Sequence, residues 1–245
     1  MARLSVNLNK IALLRNSRRT GVPDLSAFAT AAIEAGARGI TVHPRPDERH
    51  IRRADVPALA RLLGPHRPAI ELNIEGYPDA RLLDIAREVR PEQCTLVPDA
   101  PDAFTSEKGW ELDAAQGALA RPAIATLKAL GARVILFIDP DPAVVPRVAA
   151  SGADGIEIYT GAYAAAFRGG GHAALLDACA ATAEAARAQG LAVNAGHDLN
   201  LRNLPPLVAR IPFLSEASIG HELTADALMM GFAAAVAAYA AALRG

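Results

Sequence analysis

Three histidines and one glutamate in this chain sit where proton-transfer chemistry could be assembled. His43, His197 and His221 are three of the six histidines, and each closes a short run of strand-like residues: Gly39-Ile40-Thr41-Val42-His43, Val193-Asn194-Ala195-Gly196-His197 and Ile219-Gly220-His221. Glu75 stands just beyond Asn73 at the end of a fourth such run. Imidazole titrates near neutral pH, and a carboxyl group brought out of water can be moved there, so these types gathered at one place would trade protons with a substrate. Other runs also end in polar residues, at Asn7, Asp139, and Glu157 with Thr160. Gly196 and Gly220 precede histidines where backbone N–H groups could cradle a phosphate, and Arg15, Arg18, Arg45 and His50 could serve a second one. Imidazole and carboxylate together also bind zinc or iron, but the first run has no His-x-His pair, so no metal is expected.

Such residues converge only if the elements carrying them do. Eight short strands are expected at Leu4–Asn7, Gly39–His43, Ala69–Asn73, Gln93–Val97, Arg133–Ile138, Gly155–Ile158, Ala192–Ala195 and Glu216–Ile219. Helices are expected between and after them at Asp24–Ala35, Ala54–Leu63, Asp79–Val89, Ala114–Leu130, Pro142–Ser151, Ala173–Gln189, Asn203–Ala209 and Thr224–Leu243. Gly36, Gly131, Gly152 and Gly190 each fall where a helix needs a left-handed residue before the next strand. Eight βα units predict an α/β fold of the (β/α)8 TIM-barrel type, a single domain over residues 1–245, with the strand ends at one catalytic mouth. A doubly wound open sheet is the other architecture considered, but its Gly-rich phosphate turn after the first strand is missing. The irregular stretch Asp99–Leu112, rich in Asp, Pro, Ser and Gly, is expected to act as a lid.

Composition agrees with one large core and narrows the function. The chain has 245 residues, 51% of them hydrophobic and 21% charged, with a formal net charge of −1. That balance does not suit a disordered chain or a nucleic-acid-binding surface, and Arg52-Arg53 reads as a solvated helix start. Cys94 and Cys179 lack metal or redox spacing and read as buried thiols. The N-terminus turns polar too early for a secretory signal, and no apolar run is long enough for a membrane span, so a cytoplasmic location is expected.

Several segments together resemble the pyridoxine 5′-phosphate synthase family. They are Val6–Arg18, Gly39–Arg45 with Arg49-His50-Ile51, Asn73-Ile74-Glu75, Leu96-Val97-Pro98, Leu136–Asp139, Glu157–Tyr163, Val193–His197 and Ile219–His221. Their shared order covers nearly the whole chain. The resemblance implies condensation of 3-amino-2-oxopropyl phosphate with 1-deoxy-D-xylulose 5-phosphate, without a cofactor, giving pyridoxine 5′-phosphate, phosphate and water. It implies His43 and Glu75 as proton acceptors and His197 as proton donor. Asn7 and Arg18 then hold the aminoketone phosphate, and Arg45, His50 and Thr105 contact the deoxyxylulose phosphate. Gly220 and His221 form a phosphate loop, and the assembly is a homo-octamer built from dimers.

The chain departs from the usual family pattern at several of these places. Asn9-Lys10 replaces Asp-His in the substrate-binding loop, so an ammonium stands where an imidazole is common. Asp198, at another substrate-binding position, replaces Gly, and Glu222 replaces a small residue after His221. Both put acid near a proposed phosphate, where it must turn away or pair with a cation. Tyr159 replaces a histidine. Two other readings of the same residues are a barrel isomerase or epimerase of phosphosugars, which needs only one phosphate site, and a non-catalytic phosphometabolite-binding protein, which needs no acid/base set.

Overall fold

A computed structural model describes residues 1–99 and 108–244. Eight parallel strands close into a barrel in chain order, β1 to β8, with β8 hydrogen-bonded back to β1. The strands are β1 (Arg3–Asn7), β2 (Gly39–Val42), β3 (Glu71–Gly76), β4 (Gln93–Leu96), β5 (Arg133–Ile138), β6 (Gly155–Tyr159), β7 (Ala192–Gly196) and β8 (Glu216–Ile219). The helices are α1 (Asn9–Asn16), α2 (Leu25–Glu34), α3 (Asp55–Leu63), α4 (Ala80–Val89), α5 (Ala114–Ala129), α6 (Val145–Ser151), α7 (Gly161–Gly169), α8 (Ala173–Ala188), α9 (Leu204–Arg210), α10 (His221–Met230) and α11 (Phe232–Ala242).

All eight expected strands are present. The largest revision is β3, which starts and ends later than expected, so Glu75 lies within the strand and Asn73 sits in the barrel interior. Asp24, Asp79 and Asp113 each cap a helix, accepting from the backbone N–H of Ser26, Leu82 and Gln116 at 3.0, 2.8 and 2.8 Å. Gly36, Gly131, Gly152 and Gly190 all have positive φ, as their places at helix ends predicted. Two helices were not foreseen, α1 and α7. The long helix expected over Thr224–Leu243 is two, α10 and α11, because Gly231 takes φ 84°, which breaks the helix.

Alternation along the strands decides what faces inward. Leu4, Val6, Ile40, Val42, Leu72, Ile74, Leu136, Ile138, Ile156 and Ile158 are buried and belong to the apolar core shared with the helices. Their neighbours one residue along point into the barrel, and many are polar. At the N-terminal end Glu71 accepts from Arg3 at 2.8 Å and from Arg133 at 2.6 Å, while Gln93 donates to Glu216 at 3.1 Å. One step higher Ser5 and Thr41 share a hydrogen bond of 2.6 Å, and Asn73 Nδ2 donates to Thr41 at 3.3 Å and Thr95 at 3.1 Å. The next residues of the same parity, Asn7, His43, Glu75, Glu157 and Tyr159, reach the mouth. Cys94 and Cys179 are buried, and burial pushes both thiols up to about 12.

Candidate active site

The C-terminal mouth holds a cavity of about 420 Å³. His43, Glu75, His197, Asn7, Asn9, Lys10, Arg45, His50, Asp198, Gly220 and His221 all line it. Arg18 does not; it is exposed at the end of α1. Thr105 and the segment 100–107 of the expected lid lie outside the described residues.

Glu75 is the centre of the arrangement. Its Oε2 lies 3.8 Å from His43 Nδ1 and accepts a hydrogen bond from Asn7 Nδ2 at 3.3 Å. Burial raises the carboxyl to about 7, against the opposing pull of His197 and Arg45. His43, 8% exposed, is moved well below its ordinary value, first by burial and then by Arg45 and His50. At neutral pH it is therefore an uncharged imidazole able to accept a proton. Its backbone N–H donates to Asn9 Oδ1 at 2.9 Å, and the Asn9 N–H donates to Asn7 Oδ1 at 2.9 Å. Asn9 thus joins the ends of β1 and β2 in addition to lining the cavity.

One side of the mouth is cationic. Lys10, Arg45, Arg49 and His50 line it. Burial, with Arg45 and Lys10 nearby, lowers His50 to about 4. Its Nδ1 accepts from the Ile51 N–H at 2.9 Å, leaving Nε2 to carry the hydrogen and donate. The loop carrying these groups is strapped to α1: Asn16 Nδ2 donates to the carbonyls of Glu48, Arg49 and His50 at 3.2, 3.1 and 2.7 Å. Arg15, expected as a phosphate donor, instead forms a two-point pair with Asp55 at 2.7 and 2.8 Å and has only 7% exposure.

Another part of the mouth is built from β7, β8 and the start of α10. Gly220 precedes α10, whose N-terminal backbone donors and His221 stand at the mouth. Gly196 has a different reason to be glycine from the phosphate cradle expected of it, since a Cβ there would run into the Glu157 carboxylate. Thr160, expected at the mouth, is buried, and its hydroxyl lies 2.7 Å from the Gly196 carbonyl and 2.6 Å from that of His197. The two acids that threatened this side have partners: Glu222 lies 3.9 Å from Arg168 and accepts from Asn200 at 3.4 Å, and Asp198 Oδ1 lies 3.7 Å from His197 Nδ1. Asp198 has φ 56°, which explains why glycine suits this position and why Asp, one of the side chains most tolerant of left-handed backbone, can replace it.

Glu157 belongs to the site more fully than its sequence position suggested. It is 4% exposed, lines the cavity, and its Oε2 has no hydrogen-bond partner among the described residues. Burial and then the neighbouring Glu75 raise it well above the usual carboxylate range. Two carboxyl groups so placed cannot both ionise cheaply, so near neutrality they hold a proton between them. Phe137 and Tyr159 complete the wall against His197, with ring centroids 6.5 and 5.1 Å away. The signal that finds Glu157, Tyr159 and Phe137 is strand parity: each is an inward residue near the end of its strand. No group of three or more His, Cys, Asp or Glu among the described residues is arranged as metal ligands would be.

A family model described as pyridoxal phosphate biosynthesis protein PdxJ matches residues 4–245. The chain belongs to the PdxJ family. Relatives named pyridoxine 5′-phosphate synthase include one from Brucella anthropi, 51% identical over 243 residues, covering 99% of both chains. Another, from Allorhizobium ampelinum, is 51% identical over 238 residues, covering 96% of this chain and 95% of the relative. Among solved structures, a tryptophan synthase from M. tuberculosis aligns with a TM-score of 0.66 at 17% identity, covering 100% of this chain and 93% of that one. A phosphoribosyl anthranilate isomerase aligns with a TM-score of 0.57 at 13% identity over 100% of both chains. These two likenesses are of fold alone; the PdxJ assignment rests on the sequence matches.

Proposed function

We propose that this PdxJ-family chain is a pyridoxine 5′-phosphate synthase, condensing 3-amino-2-oxopropyl phosphate with 1-deoxy-D-xylulose 5-phosphate. The observation that carries this reading is Glu75, held near pH 7 within one cavity that His43 and His197 also line. Joining an amine to a ketone, expelling water and phosphate and closing an aromatic ring requires repeated proton transfer on adjacent atoms. Neutral His43 and Glu75 serve as acceptors and His197 as donor. Glu157, protonated by its surroundings, is a further hydrogen-bond donor to developing negative charge.

Two groups of polar residues in the one cavity fit two phosphates. Arg45, His50 and Lys10 suit the deoxyxylulose phosphate, while the Gly220-His221 start of α10, with Asn7, suits the aminoketone phosphate. A one-phosphate isomerase has no use for the second group. The chemistry so assigned comes from side chains, without a cofactor, and the working form is a homo-octamer in the cytoplasm.

The test is to incubate the purified protein with both phosphates and follow pyridoxine 5′-phosphate and inorganic phosphate by mass spectrometry. Product that disappears in Glu75→Gln is expected. A folded protein that forms no product from both fresh substrates would sink the reading.

A further inference from the structure

We propose that Asp198 is a positioning residue for His197: its carboxylate holds the imidazole with hydrogen on Nδ1 and Nε2 turned toward the reacting atoms, so that Nε2 takes up a proton in one step and donates it in a later one. The inference rests on the synthase reading for what His197 does, but not for how its ring is held.

The geometry that suggests it is local and unusual. His197 and Asp198 are consecutive non-glycine residues with positive φ, 91° and 56°. Side chains seldom adopt this backbone conformation, and here it places the Asp198 carboxylate beside its neighbour's ring, Oδ1 to Nδ1 at 3.7 Å. Two side chains hold the loop in that shape. Thr160 Oγ1 reaches the carbonyls of Gly196 and His197 from the end of β6, and Asn203 Nδ2 donates to the Asp198 carbonyl at 3.1 Å.

The remaining sides of the ring are not equivalent. Tyr159 stands edge-on at 5.1 Å and Phe137 lies at 6.5 Å, so two neighbours on β5 and β6 wall the ring by packing. Among the described residues, charged neighbours are Glu75 from β3, whose carboxyl feels His197, and Arg168 and His221, which act on Asp198. The interaction with His197 holds the Asp198 carboxyl below the usual range, so it is a carboxylate at neutral pH. At 3.7 Å the pair is longer than a hydrogen bond, and catalytic contacts that are long without a bound substrate often tighten once it binds. Which imidazole nitrogen carries the hydrogen is set by the partner of the other one, so an acceptor at Nδ1 selects the tautomer.

Two variants keep the left-handed backbone, Asp198→Gly and Asp198→Asn, and only the second retains an acceptor. The measurement is solid-state 15N NMR on full-length, histidine-labelled protein, with the His197 signals assigned by their loss in His197→Asn. The neutral ring is expected with hydrogen on Nδ1 in the native protein and in Asp198→Asn, and redistributed toward Nε2 in Asp198→Gly. In the synthase assay Asp198→Gly should lose about 10-fold in kcat, the low end of what one hydrogen bond to a charged group contributes, with KM for both phosphates nearly unchanged, and Asp198→Asn should recover most of it. Hydrogen on Nε2 in the native protein would overturn the proposal, as would a loss in Asp198→Gly confined to KM. If no protein forms product, the synthase reading fails and the NMR result still decides how His197 is held.

Discussion

Glu75 couples stability to pH. Its folded-state value of about 7 stands above an ordinary 4.5, so between those two pH values the folded chain binds more protons than the unfolded one. The stability this contributes is present at pH 4.5 and below and is lost as pH rises through 7. Glu75→Gln removes the buried charge, so calorimetry should find a larger gain in Tm over the native protein at pH 8 than at pH 5. Equal gains would mean that His197 and Arg45 fully offset the burial. The same variant should lower kcat by about 10²- to 10⁴-fold, the usual worth of a general acid or base. His50 stays uncharged far below neutral pH, so in the proposed reaction its part is to donate a hydrogen bond. His50→Ala is therefore expected to raise KM for the deoxyxylulose phosphate with little change in KM for its partner, read from initial rates with each substrate varied in turn.

At the scale of elements, the site depends on how closely strand ends approach one another. Gly196 leaves β7 without a side chain beside Glu157, and adding a methyl group there would push the carboxylate away. Gly196→Ala should fold yet lose activity by about 10²-fold or more, as misplaced catalytic groups do, and near-native kcat would show that the position of Glu157 does not matter. Gly109 makes an equally close approach, but to backbone, because a Cβ there would enter the main chain of Ile138 and Asp139. Beside it Trp110 donates its indole N–H to the Leu96 carbonyl at 2.9 Å and its backbone N–H to Phe137 at 2.8 Å, pinning the chain to β4 and β5. Gly109→Ala is expected to cost roughly 1–3 kcal/mol, the range for overpacking a core, measured by urea unfolding. The strand count and the helix-ending glycines were legible because they rest on short-range steric rules. Helix α1 was not: its Leu13 and Leu14 are exposed, at 43% and 53%, so its sequence shows little of the amphipathic period that marks a helix.

At the scale of the molecule, exposed apolar side chains bear on assembly. Leu13 and Leu14 on α1 and Leu228, Met229 and Met230 on α10 lie on helices that pack together, and Met229 is 88% exposed. An octamer would cover such a surface, and Met229→Lys should shift the mass measured by light scattering toward smaller species; a native chain that runs as a monomer would exclude the octamer. The sequence by itself determined the barrel, because eight strand-and-helix units with their caps leave few other ways to bury their apolar faces. It also determined the identity of His43, Glu75 and His197 as mouth residues, because strand ends in such a barrel share one face. Only the tertiary structure decided that Arg15 is taken up by Asp55, that Asn73 belongs to the barrel interior, that Glu157 is buried in the same cavity as Glu75, and that Asp198 lies beside the His197 ring. Those outcomes depend on side chains from different strands arriving within a few ångströms, and on water being excluded around them, neither of which the order of residues along one strand records.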